Sequence, residues 1–157
     1  MSRESIAFYS TSIAAEKTAS EIMTLLARAG ATAILSEYGA PNQPGEPGKL
    51  AAVSFRIKTE FGVLTFRLPA NVDGVSAVLM RSTSIPRALR NSRAQAQRVA
   101  WRIILHWLDA QLAMIAAGLV DLEQVFLPYA QDVAGVTVYD RIKDSRFKFL
   151  NLLPDKT

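Results

Sequence analysis

The stretch Ala51–Leu68, AAVSFRIKTEFGVLTFRL, decides the fold, because apolar residues alternate with polar ones on both sides of a short turn at residues 60–62. A period of two is typical of an antiparallel hairpin with one face in the core and the other toward solvent. Pro69 ends the second strand, since it cannot donate to a ladder. The core face of this hairpin is predicted to carry Val53, Phe55, Ile57, Leu64, Phe66 and Leu68.

The opposite face of the hairpin is predicted to be basic, since it would carry Arg56, Lys58 and Arg67 together. Phe61 lies in the turn between the strands. An aromatic side chain at a hairpin tip, beside cations, suits stacking on a nucleic-acid base. The alternative is that Phe61 folds back over a neighbouring element, and the sequence leaves both open.

Upstream of the hairpin, the pattern predicts a strand at Ile6–Ser10, a helix over residues 12–29 and a second strand at Ala31–Tyr38. The helix is indicated by apolar residues at three- and four-residue spacing, with Ser12 as N-cap and Gly30 as C-cap. Residues 40–49 hold three prolines and two glycines, so they are predicted to form a loop.

Downstream, Asn71 or Asp73 is predicted to open a short helix, and a long helix follows over residues 92–117. Ser92 and Gln95 fit a capping box at its start. Its length, about 26 residues, exceeds what one small sheet can cover. The predicted apolar stripe of this helix is Ala96, Val99, Ala100, Ile103, Trp107, Ala110 and Met114.

The far end of the long helix is therefore predicted to pack on another subunit of a homo-oligomer, through Ala110, Met114, Ala117 and Leu119. Trp101 is expected near the edge of the helix that carries Arg98, in core or interface packing or as a stacking platform. Asp121 is predicted to cap a further short helix that Pro128 ends.

The elements together predict an α+β fold: a small antiparallel sheet in the order strand, helix, three strands, helices, covered on one face by helices 12–29 and 92–117. The length of 157 residues predicts a single domain, 1–157. Residues 136–157 are predicted to form a C-terminal tail with one more strand, Val136–Arg141.

Arginines are concentrated between residues 81 and 102, where six occur without one acidic residue, in a chain of net charge +4. The planar guanidinium matches phosphate oxygens bidentately, so this segment indicates a phosphate-binding surface. The alternative is a solvated loop followed by the outer face of a helix, on which Arg98 and Arg102, four apart, would both lie. The predicted nucleic-acid or phosphate-binding residues are Arg56, Lys58, Phe61, Arg67, Arg87, Arg90, Arg93, Arg98 and Arg102.

Catalytic and metal-dependent classes find no support in the sequence. The chain has one histidine, His106, no cysteine and no glycine-rich phosphate loop. We therefore expect no enzyme, no metal and no cofactor. No apolar run of about 20 residues and no cationic leader is apparent, so we expect no membrane partner and a cytoplasmic location.

Three stretches resemble small proteins of unknown function encoded by bacteriophages and prophages: EKTASEIMTLLARAGA (16–31), SFRIKTEFGVLTFRLPAN (54–71) and QAQRVAWRIILHWLDAQLAMIAAGLVDLEQVFLPY (95–129). The resemblance implies a phage accessory role in the host cytoplasm, either in managing DNA or in blunting host defences.

The order of helix 12–29, three strands and helix 92–117 also resembles that of double-stranded RNA-binding domains. The resemblance places the arginines at the start of the last helix where that family binds phosphates, although the loop GAPNQPGEPGK (39–49) lacks the family's histidine-containing motif.

Non-catalytic, sequence-independent nucleic-acid binding is therefore the expected function. The alternatives are a counter-defence protein that sequesters a nucleotide signal or blocks a host protein, and a structural protein. A nucleic-acid groove requires a continuous basic track, whereas a nucleotide pocket requires two or three arginines around a cavity with an aromatic wall.

Overall fold

The computed structural model describes residues 6–150, which form an α+β fold of one three-stranded antiparallel sheet and several helices. The elements are α1 Ala15–Arg28, β1 Ala31–Tyr38, β2 Leu50–Thr59, β3 Gly62–Pro69, α2 Val72–Arg81, α3 Arg87–Arg90, α4 Arg93–Ala116, α5 Leu122–Phe126 and α6 Val138–Asp144. A single 3₁₀ turn, Leu127–Tyr129, follows α5.

The hairpin that decides the fold is confirmed, and the sheet has the strand order β1-β2-β3. Phe55 pairs with Phe66 across β2 and β3, and the ladder closes at Thr59 and Gly62. Gly62 has a φ of +119°, a conformation that glycine adopts without steric cost.

The core face of the hairpin is also confirmed. Val53, Phe55, Ile57, Phe66 and Leu68 are buried, and Leu64 is half-buried against the same cluster. The rings of Phe55 and Phe66 lie 5.3 Å apart, and Phe126 from α5 meets Phe55 edge-on at 5.6 Å. Each such buried side chain contributes about 1.5–3 kcal/mol, which fixes the register of the strands.

Helices α1 and α4 cover the core face of the sheet. Ile22 and Leu26 of α1 and Leu108 of α4 belong to the hydrophobic cluster that the strands complete. The helix α1 begins at Ala15 rather than at Ser12, and its N-cap residue Ala14 has no side-chain acceptor to offer.

The buried face of α4 differs from the predicted stripe after Ala100. The first turns of α4 pack on α2, in a cluster that includes Ala96 and Ala100. Beyond this point the helix faces α1 and the sheet instead, so its buried face shifts. Trp101 is fully buried, Ile103 and Trp107 are half-buried, and Ala110 and Met114 are exposed.

The predicted strand at Ile6–Ser10 is wrong, because residues 7–10 form a turn. Phe8 has a φ of +63°, and the Thr11 amide donates to the Phe8 carbonyl at 3.0 Å. The buried Gln95 side chain secures this segment by donating to the carbonyls of Tyr9 and Thr11, at 2.7 and 2.9 Å. The sheet therefore starts with β1.

The predicted strand Val136–Arg141 is also wrong, since helix α6 occupies Val138–Asp144. Thr137 caps this helix by accepting a hydrogen bond from the Asp140 amide at 3.3 Å. A threonine three residues before an aspartate is a helix-start signal, and it outweighed the β-branched residues of the segment. Residues 151–157 of the predicted tail lie outside the described part of the chain.

Candidate phosphate-binding cleft

The sheet separates the predicted basic residues into two groups. Arg56 and Lys58 are exposed on the face opposite to the helices, as predicted. Arg67 shares that face, but its Nε lies 2.7 Å from Glu37 Oε2, so its charge is paired. The arginines of α3 and α4 belong to the helical side of the molecule, so the two groups do not form one continuous track.

Phe61 projects from the tip of the hairpin with 77 % of its surface exposed. The Phe61 amide donates to Thr59 Oγ1 at 3.2 Å, which fixes the turn but leaves the ring in solvent. Of the two interpretations of Phe61, the structure therefore supports the projecting ring.

Arg102 does not lie on an exposed helix face, contrary to the prediction. Only 14 % of its side chain is exposed, and its Nη1 lies 2.8 Å from Glu21 Oε2 and 3.4 Å from Thr18 Oγ1 on α1. The burial and the ion pair assign Arg102 to the packing of α1 against α4 and remove it from the candidate site.

The arginines before Arg102 differ in exposure, and Arg98 is half-buried, as Arg102 is. Arg87 is exposed and Arg90 is half-buried on the single turn of α3, and neither forms an ion pair within residues 6–150. Arg93, at the start of α4, is 62 % exposed and its Nη2 contacts Asp73 Oδ1 at 2.5 Å.

A cleft of about 530 Å³ opens where the first turns of α1, α2 and α4 meet the loop between β1 and β2. Three cationic side chains, Lys49, Arg93 and Arg98, line it, together with the carboxylates of Glu16 and Asp73. The remaining lining residues are Ala14, Ala15, Gly39, Ala40, Asn42, Leu50, Ala51, Ala70, Asn71, Val72, Ala94 and Gln97.

Arg98 is held in place at this cleft by Gln95. The Gln95 Oε1 atom accepts from Arg98 Nε at 3.0 Å and from Nη2 at 2.7 Å. Gln95 is 1 % exposed, and its amide group is in turn fixed on the turn at residues 7–10. The predicted capping box is thus half correct. Ser92 Oγ accepts from the Gln95 amide, whereas the Gln95 side chain is used to position Arg98.

The start of α1 adds backbone donors to the same cleft. Asn71 caps α2 and Ser92 caps α4, whereas Ala14 leaves α1 uncapped. Within residues 6–150, the amides of residues 15–17 have no hydrogen-bond acceptor. Free amides at a helix start carry a partial positive charge that favours anions.

Lys49 and Gln97 were missed at the level of sequence. Lys49 is the last residue of the predicted proline- and glycine-rich loop, and this position is the only local signal that it could belong to a site. Gln97 reaches the cleft because its Nε2 donates to the Leu50 carbonyl, a contact between residues 47 positions apart.

Comparison of the chain with protein-family models, with curated proteins and with solved structures yields no match.

Proposed function

We propose that the protein binds nucleic acid, largely independently of sequence and without catalysis, through phosphate groups held at the cleft of Lys49, Arg93 and Arg98. The observation that carries the proposal is the convergence of these three cations, which outnumber the carboxylates of Glu16 and Asp73 beside them, and of the uncapped start of α1 on one concave surface. Guanidinium groups and helix-start amides are both suited to phosphate oxygens.

The lining favours the phosphate backbone over a base or an isolated nucleotide. None of the described residues around the cleft is aromatic, so a base finds no ring on which to stack. Six of the lining residues are alanines, and their short side chains leave the protein backbone of the cleft accessible. Contacts to phosphates position a nucleic acid without reading its sequence, which is why we propose little sequence preference.

The basic surface continues beyond the cleft. Arg90 ends α3 only three residues before Arg93 begins α4, and Arg87 lies one turn earlier in an exposed position. A nucleic-acid strand bound in the cleft would therefore continue past α3, where Arg87 and Arg90 would contact its neighbouring phosphates. By contrast, Arg56 and Lys58 stand on an open sheet face on the other side, and we do not include them in this contact.

The resemblance to bacteriophage and prophage proteins supports an accessory role in the host cytoplasm, which we include in the proposal. The second candidate function is sequestration of a nucleotide signal in counter-defence. It is favoured by the volume of the cleft, about 530 Å³, which lies within the ~300–1,000 Å³ typical of small-molecule sites.

Fluorescence anisotropy separates the two functions. Labelled 20-nucleotide single strands and duplexes, each in two unrelated sequences, are titrated with the full chain at low salt, and unlabelled ATP and cyclic dinucleotides serve as competitors. Nucleic-acid binding predicts similar affinity for both sequences and weak competition. Saturable binding of a mononucleotide or cyclic dinucleotide, with negligible affinity for the oligonucleotides, would support sequestration instead.

A further inference from the structure

The two edges of the sheet differ in how they are covered. At the edge of β3, the Gln131 amide donates to the Thr65 carbonyl at 2.8 Å, and Ala130 bridges Phe66. At the other edge, β1 pairs only with β2 within residues 6–150. One side of an eight-residue strand therefore presents unpaired backbone donors and acceptors.

This edge lacks most of the features that prevent edge strands from pairing. The sequence of β1, ATAILSEY, contains no lysine, arginine or proline. The two irregularities of the β1–β2 ladder lie near its ends, between Ala31 and Ala33 and between Glu37 and Tyr38, so the middle of the strand is regular. Leu35, at that middle, is 60 % exposed.

We propose that β1 pairs in antiparallel orientation with β1 of a second copy of this chain, so that two sheets join into one of six strands. Charge favours a second copy as the occupant. The only charged residue of β1 is Glu37, and Arg67 of the same chain already pairs with it, so two copies bring no unpaired like charges together. The contact is also isologous, as in most dimers.

The register follows from the alternation of side chains. Residues directly opposite each other in an antiparallel pair point to the same face of the sheet, whereas neighbouring residues of one strand point to opposite faces. In a symmetric pair of β1 strands, one residue therefore faces its own copy, and the two-fold axis passes between these two copies. Ile34 already packs on the core, whereas Leu35 is exposed on the outer face. An axis through Leu35 buries the two exposed leucines against each other.

Single-cysteine variants test this register directly, because the chain has no cysteine of its own. In Leu35→Cys the two sulfurs meet at the axis, where opposite Cα atoms are about 4.5–5.5 Å apart, within the range that disulfides accept. Val63→Cys is the matched control, since Val63 lies on the same sheet and is 61 % exposed.

Under a mild oxidant at micromolar concentration, we expect Leu35→Cys to form a disulfide-linked dimer at least tenfold faster than Val63→Cys, on a non-reducing gel. Equal rates for the two variants, or no dimer of Leu35→Cys, would overturn the proposal. Leu35→Lys provides a second measurement, because it places two lysines at the axis. Its mass in sedimentation should be half that of the unmodified chain, with an unchanged circular dichroism spectrum, and an unchanged mass would also overturn the pairing.

Discussion

The guanidinium of Arg102 lies 2.8 Å from the carboxylate of Glu21, and this ion pair joins α4 to α1 beside the core. The two residues are 81 positions apart in the chain. Arg102 thereby differs from Arg98, one turn earlier, whose guanidinium is positioned by Gln95 at the cleft. Arg102 therefore belongs to the packing of α4 against α1, whereas Arg98 lines the cleft.

Arg102→Ala should destabilise the protein by about 1–3 kcal/mol, because it removes a charge-assisted hydrogen bond and leaves Glu21 without its partner. Urea unfolding followed by circular dichroism measures the change. Arg87→Ala is the control, since Arg87 is exposed and unpaired within residues 6–150, and it should shift stability by less than about 0.5 kcal/mol. Equal effects of the two variants would contradict the structural role of Arg102.

Two of the three phenylalanines of the hairpin, Phe55 and Phe61, provide a second prediction. Phe55 is 1 % exposed and Phe61 is 77 % exposed. Phe55→Ala should cost about 3–5 kcal/mol, whereas Phe61→Ala should change the free energy of unfolding by less than about 0.5 kcal/mol. Denaturant titrations of both variants test this, and a large cost for Phe61→Ala would show that its ring packs on the protein.

The sequence predicted those features that depend on neighbouring residues. The hairpin, its buried face and the caps at Asn71 and Ser92 follow from spacing within a few positions. The burial of Arg102 and the turn at residues 7–10 depend on contacts made more than 80 positions away, by Glu21 and by Gln95. The cleft was missed for the same reason, because four separate segments of the chain supply its lining.

The far end of α4 leads to a prediction about assembly. An 18-residue window of α4 has a mean hydropathy of 1.2, so the helix is long and apolar enough to cross a membrane. Only 28 % of that window is buried, so much of its apolar surface is exposed. Leu119 beyond it is 70 % exposed. Arg102 of the same helix is paired with α1, so we expect this surface to contact a further copy of the chain and not a bilayer.

Leu119→Glu should therefore lower the mass measured by light scattering at micromolar concentration. Val133→Glu is the control, because Val133 is fully exposed in a loop, and it should leave the mass unchanged. A 17.2 kDa particle for the unmodified chain would contradict self-association, and co-flotation of the chain with lipid vesicles would indicate a membrane contact instead.

Asp132 leads to a prediction about pH. The pKa of this carboxyl is lowered below its ordinary value of 3.8. The hydrogen bond from the Val136 amide has the largest effect, and the hydrogen bond from the Arg141 side chain comes next. Because the pKa is lowered in the folded protein, the stabilisation is present above 3.8 and is lost as the pH falls through the folded-state pKa. Arg141→Gln should raise the pKa only part of the way, since the Val136 hydrogen bond remains.

Titration of the Asp132 carboxyl carbon by NMR measures this shift in the unmodified chain and in Arg141→Gln. A pKa at 3.8 in the unmodified chain would show that the hydrogen bonds to Val136 and Arg141 are absent in solution.

The salt dependence of nucleic-acid affinity tests the proposed function most directly. Each neutralised phosphate contributes about 0.9 to the slope of log affinity against log salt for a duplex, through counterion release. The comparison uses two triple variants that remove the same charge: Lys49→Gln with Arg93→Gln and Arg98→Gln, and Arg56→Gln with Lys58→Gln and Lys143→Gln.

The cleft variant should lower the slope by about 2–3, with no change in sequence preference, and the matched variant should keep a slope close to that of the unmodified chain. An equal fall of the slope in both variants would show that only net charge matters. A fall in the matched variant alone would place binding outside the cleft, at the open face of the sheet or at Lys143 on α6, and would contradict the proposal.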